Sequence, residues 1–139
     1  MEKKVSEIFD IWEFISTLSK NAEVPSFKGR YAISRAYEKL KASVQPLIDE
    51  KNNLLKKYYE ILPNGQTGKI LEDMKKEDFE EEFKTFSNEL IEVDVFQIKL
   101  SYLEDVKVYD LKGNQISMPA IYFNVLDDFI VDDTTENGI

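Results

Sequence analysis

Apolar residues recur along the first part of the chain at steps of three and four. Val5, Ile8, Trp12 and Ile15 make one stripe, and Phe9, Ile11, Phe14 and Leu18 widen it on both sides. Residues so spaced share one helix face, which predicts a helix from Glu2 to Lys20 broad enough to pack against more than one neighbour. Asn21 to Gly29, with Pro25, Ser26 and Gly29, reads as a connector and helix start. The strongest pattern follows between Gly29 and Glu60, where Ile33, Tyr37, Leu40, Val44, Leu47, Lys51, Leu54 and Tyr58 alternate steps of four and three. This is a near-heptad seam broken only by Lys51, with Ala36, Ile48 and Leu55 beside it. Pro46 sits inside the stripe and lacks the N–H that an interior helix position donates, so a kink or a break is predicted near Ala42 to Gln45.

Pro63-Asn64-Gly65 and Gly68 end the long helix and predict a loop or hairpin between Ile61 and Lys76. Phe79, Phe83, Phe86 and Leu90 then step four, three and four, giving a third helix from Lys76 to Glu92 with its phenylalanines in the core. After Glu92 the period changes to two, which predicts strands from Val93 to Leu100 and from Val106 to Leu111. A turn at Lys112 to Gln115 and a short strand from Gln115 to Met118 follow. Ser117 before Pro119 marks the start of a last helix running to Ile130. The predicted fold is α+β: three mainly antiparallel helices, a small antiparallel β-sheet or hairpin and a C-terminal helix. One compact domain is expected over residues 1–131, followed by an acidic flexible tail over 132–139.

Composition narrows the chemistry. The 139 residues include no cysteine and no histidine. Disulfide frameworks, zinc-finger and haem sites, thiol or serine–histidine nucleophiles and imidazole acid–base catalysis are therefore not available. The longest apolar runs, such as Ala120 to Phe123, are far short of the roughly 20 residues a membrane helix needs. The charged N-terminus has no signal-peptide core, so a soluble intracellular product is expected.

Charge is uneven: residues 1–60 carry a net +2 and residues 61–139 a net −11, giving the −9 of the whole chain. Lys28, Arg30, Arg35, Lys39 and Lys41 stand against only Glu38, a small basic patch on an acidic molecule. Lys28, Arg30 and Arg35 fall at the start of the long helix, where the helix dipole also favours an anion or an acidic partner. Glu77, Glu80, Glu81 and Glu82, with Glu72, Asp73 and Asp78, form the opposite feature, an acidic helix able to imitate a phosphate backbone. These basic and acidic residues are the candidate partner-binding positions.

Three alternatives carry less. Gly65-Gln66-Thr67-Gly68-Lys69 fails as a phosphate loop, because Pro63 stands where its first glycine belongs and Ile70 where a magnesium-binding hydroxyl would be. Asp127-Asp128 and Asp132-Asp133 are sequence neighbours that would point about 100° apart on a helix, poor geometry for one ion. The net charge has the wrong sign for direct nucleic-acid binding. No cofactor, metal or catalytic residue is predicted.

The order of parts, with the Lys28-Gly29-Arg30 link, the helix ending Leu47-Ile48-Asp49-Glu50-Lys51-Asn52-Asn53-Leu54-Leu55-Lys56-Lys57-Tyr58, the Pro-Asn-Gly loop, Phe79 to Leu90, Glu92-Val93-Asp94-Val95, Ile98-Lys99-Leu100 and the closing Ile116-Ser117-Met118-Pro119 segment with Leu126 and Ile130, resembles a family of small uncharacterised proteins encoded by tailed bacteriophages and prophages. Pro46 and the Tyr109 to Gln115 hairpin depart from that pattern. The family implies no activity, cofactor or catalytic residue; the function expected is that of a non-enzymatic phage-type protein that binds another protein, as a virion component or as an assembly or accessory factor, in the virion or the host cytoplasm. A homo-oligomer sharing the helical seam is one expectation, with Lys51 then paired across chains. The alternative function is an acidic anti-defence inhibitor that blocks a host nucleic-acid-binding protein.

Overall fold

A computed structural model describes residues 1–94, 97–117 and 129–131 of the chain. The first apolar stripe forms helix α1 (Val5–Lys20), which buries Val5, Ile8, Ile11, Phe14, Ile15 and Leu18. It starts three residues later than predicted because Glu2–Lys4 form a strand, β1, paired antiparallel with β5 (Leu90–Glu92). The backbone groups of these residues thus find ladder partners, and the Glu7 carboxylate accepts the Lys4 backbone N–H at 3.1 Å to begin the helix.

A two-residue strand, β2 (Ala22–Glu23), leads to helix α2 (Phe27–Tyr58), where Ser26 Oγ accepts the Gly29 N–H at 3.2 Å as an N-cap. The predicted kink or break at Pro46 does not divide this helix, which runs unbroken for 32 residues. Pro46 is exposed, and so is Ala42, whose carbonyl loses its partner. Water can serve that carbonyl on the solvent side, so the helix continues.

Ile33, Leu40, Val44, Leu47, Leu54 and Tyr58 of the seam are buried, against α1 and α3 of the same chain. Lys51 is half-buried at the seam's edge, with its ammonium 5.5 Å from the centroid of the Phe9 ring. Its aliphatic stem covers apolar surface while the charge stays at the rim. The seam is therefore the interior of one chain, not an interface between two copies.

Tyr59–Ile61 (β3) and Thr67–Ile70 (β4) form the predicted hairpin, with Gly65 at φ +85° in the turn. Helix α3 (Lys76–Asn88) stops four residues before its predicted end. Leu90, assigned by its spacing to the helix core, instead lies in β5 and is exposed.

Ring contacts run in opposite order along neighbouring helices. Phe9 meets Lys51 while Trp12 and Lys20 meet Tyr37, and Tyr58 at the end of α2 meets Phe79 near the start of α3. The three helices pack antiparallel in sequence order, as short connections favour.

The C-terminal part is less regular than the two long strands expected of it. Ile98–Lys99 form β6, Leu100–Leu103 a 3-10 turn, and Lys107–Tyr109 the strand β7. β7 lies between β2 and β8 (Gln115–Ile116), and the β7–β8 turn carries Gly113 at φ +85°. Asp110 Oδ1 accepts the N–H groups of Lys112 and Asn114, both at 2.9 Å, which closes that turn. β6 pairs in parallel with β9 (Ile130–Val131), and Phe129 is fully buried. Ile130 is thus in a strand and not at the end of the predicted last helix; the rest of that helix, Asp127, Asp128 and the tail over 132–139 lie outside the described residues. The fold is α+β, with three helices and several small sheets among the described residues, antiparallel apart from the β6–β9 pair. Among the described residues no helix is long and apolar enough to cross a membrane.

Gly29 shows how tightly the C-terminal part sits on α2. A Cβ at this buried position would come 2.8 Å from the Tyr102 carbonyl oxygen and 2.9 Å from Val24 Cγ1. A backbone carbonyl cannot swing aside as a flexible side chain does. Gly29→Ala is therefore expected to lose about 1–3 kcal/mol to overpacking, more than a propensity gain of at most about 1 kcal/mol returns. The check is a lower urea midpoint at unchanged slope.

Candidate protein-interaction surfaces

Phe27, Tyr31 and Arg35 are four residues apart on successive turns of α2 and therefore share one edge of the helix. That edge is out of phase with the buried stripe, so it faces solvent: Phe27 is 70% and Tyr31 55% exposed. The two rings stack at 6.2 Å with 27° between their planes. The Arg30 guanidinium lies 6.0 Å from the Phe27 centroid, and that of Arg35 5.8 Å from the Tyr31 centroid while donating to the Tyr31 hydroxyl at 3.2 Å. Aromatic faces attract cations through their ring quadrupoles. The result is a ladder of alternating rings and guanidinium groups on the first three turns of the helix, with Lys28 and Lys39 exposed alongside.

The three predicted basic positions do not act alike. Arg30 donates to the carbonyls of Val24 and Pro25 at 2.8 and 2.9 Å, so it ties down the entry to α2 and its charge is partly committed. Among the described residues Arg35 is held by Tyr31, and Lys28 is exposed. Composition marked the charges; the aromatic half of the ladder, Phe27 and Tyr31, was not included among the predicted site residues. Its signal was present as large apolar residues at a four-residue spacing on the wrong side of the core stripe.

The second surface is a groove of about 670 Å³ between the last turns of α2 and helix α3. Buried Leu54, Tyr58 and Phe86 line it, and Glu50, Asp78, Glu81, Glu82 and Glu89 bring five carboxylates to it against one lysine, Lys57. Lys57 Nζ donates to Glu82 Oε1 at 2.8 Å. This contact raises the Lys57 pKa above its ordinary value and, with help from the Tyr58 phenol, holds that of Glu82 below the usual carboxylate range. The Tyr58 phenol is itself pushed up, first by desolvation and then by the Glu82 carboxylate.

Of the four predicted acidic positions, Glu81 and Glu82 belong to this groove, whereas Glu77 and Glu80 do not line it. Glu80 stands one helix turn from Lys76, whose ammonium is 4.0 Å away. Sequence reasoning groups Asp78 with Glu81 and Glu82 on one acidic helix but misses Glu50 and Glu89, and Glu50 joins them only through the packing of α2 on α3. Among the described residues no group of three or more acidic side chains is arranged to hold a metal ion. No family model, curated protein or solved structure matches this chain.

Proposed function

We propose that the chain is a protein-binding module without chemistry of its own, a phage-type virion component or an assembly or accessory factor. The observation that carries this reading is the exposed ring–guanidinium ladder of Phe27, Arg30, Tyr31 and Arg35. Tyrosine and arginine are the residue types that dominate binding energy at protein interfaces, because each combines a large rigid contact area with a directed polar end. Here they are already stacked in the free protein, so little side-chain freedom remains to be lost on binding. Basic charge beside the rings directs the surface toward an acidic partner.

The test is affinity capture with the full chain as bait, compared with Tyr31→Ala and Arg35→Ala baits that retain the wild-type circular dichroism. A partner protein should be retained by the wild type and reduced at least tenfold by either substitution. Retention of the same partner by both variants would reject the ladder as the binding surface.

A second reading rests on the five carboxylates of the groove, which support imitation of a nucleic-acid backbone toward a host nucleic-acid-binding protein. On that reading Glu81→Lys and Glu89→Lys abolish capture, the ladder variants do not, and DNA or RNA competes with the chain for its target. Affinity would also fall steeply as salt rises.

A further inference from the structure

The two surfaces are complementary in charge, and each carries apolar groups among its charges. One is a convex ridge of two exposed rings flanked by cations; the other is a concave groove with an apolar floor and an acidic rim. They cannot meet within one molecule, because Tyr31 and Leu54 lie about 35 Å apart along one continuous helix. We propose that the ladder of one copy docks into the α2–α3 groove of a second copy, so that the protein assembles head to tail. This deepens the protein-binding reading above by naming a second copy of the chain as the acidic partner.

In the docked pair, Phe27 and Tyr31 cover Leu54, Tyr58 and Phe86, while Arg35 and Lys28 face Glu81 and Glu89. Burial of the two exposed rings supplies most of the attraction, and the charges select ridge against groove, since ridge-to-ridge or groove-to-groove contact would set like charges together. Two different patches form the contact, so each copy keeps one free ridge and one free groove, and growth continues into a ring or an open chain. The helical seam plays no part, being filled within each chain. A net charge of −9 opposes association at long range, but at physiological salt fields decay over about 8 Å, so the contact pairs outlast the general repulsion. Assembly is therefore strongest at intermediate salt and weaker both in very dilute and in concentrated salt.

Sedimentation velocity of the full chain decides the matter. At high micromolar concentration and physiological salt, the wild type should sediment as a concentration-dependent series above its monomer mass of 16.2 kDa. Arg35→Glu removes the ridge and Glu81→Lys the groove; each alone should weaken association at least tenfold and leave circular dichroism unchanged. The decisive sample is their mixture. The intact ridge of Glu81→Lys fits the intact groove of Arg35→Glu, and the two altered patches carry exchanged charges, so the two variants together should restore the association that each alone has lost. A wild type that stays at monomer mass, or a mixture that stays monomeric, overturns head-to-tail assembly. Capture of a different protein through the ladder is read separately, so binding to that partner can stand even when self-assembly fails.

Discussion

Phe14→Ala should remove about 3–5 kcal/mol of stability, a large share of the roughly 5–15 kcal/mol that holds a domain together. Phe14 is only 1% exposed and sits with Ile11, Ile15 and Leu18 on the face that α1 turns toward the core. Truncation forfeits the transfer of the ring out of water, and it also leaves a cavity that a close-packed interior closes only in part. Phe14→Leu, which keeps more of the volume, should lose about half as much or less. The control is another phenylalanine. Phe27→Ala, at an exposed position, should move stability by no more than about 0.5 kcal/mol. Equilibrium unfolding of the three variants reads all three numbers, and a Phe27→Ala variant as damaged as Phe14→Ala would mean that the ladder is a structural brace. The residue type is the same in the two positions. What separates a core ring from a binding ring is the phase of the helix on which it stands.

That phase was legible in the sequence wherever an element was long. The stripes of α1 and α2 span several turns, so a chance match is improbable, and Val5 through Leu18 and Ile33 through Tyr58 mark the buried faces of both helices. The strands were not legible to the same degree. β2, β6, β8 and β9 have two residues each, too few to show alternation, and they exist because neighbours across the chain satisfy their backbone groups. Leu90 shows the cost of extending a pattern one step too far: its spacing continued the Phe79-Phe83-Phe86 series, but pairing of Leu90 with Lys4 ends the helix first. The candidate surfaces divide in the same manner. Phe27, Tyr31 and Arg35 are local in sequence and could be found by asking which large residues fall outside the core stripe. Glu50 and Glu89 are 39 positions apart, and no periodicity links two positions that only helix packing joins.

Pro46→Ala should stabilise the protein by about 2 kcal/mol, raising the melting temperature by about 5–10 °C for a domain of this length. Proline in a helix interior is about 3 kcal/mol less favourable than alanine, because its ring crowds the preceding turn and the carbonyl four residues back loses a donor. Part of this is offset in the unfolded chain, which proline stiffens by about 0.4–1 kcal/mol. The difference remains as the expected gain, and the exposure of Pro46 means that no packed side chain is lost with it. The opposite outcome has its own physical meaning. Helix α2 packs on α1 and also, through its later turns, on α3, and a helix that serves two neighbours gains from curving around the core. If proline supplies that curvature, alanine straightens α2 and loosens one of the two contacts. Thermal unfolding would then show no gain or a loss, and the mobility of α3 would rise with it. An increase in melting temperature with unchanged hydrogen-exchange protection over α3 would instead assign the curvature to packing alone and leave Pro46 as a removable burden on an otherwise regular helix.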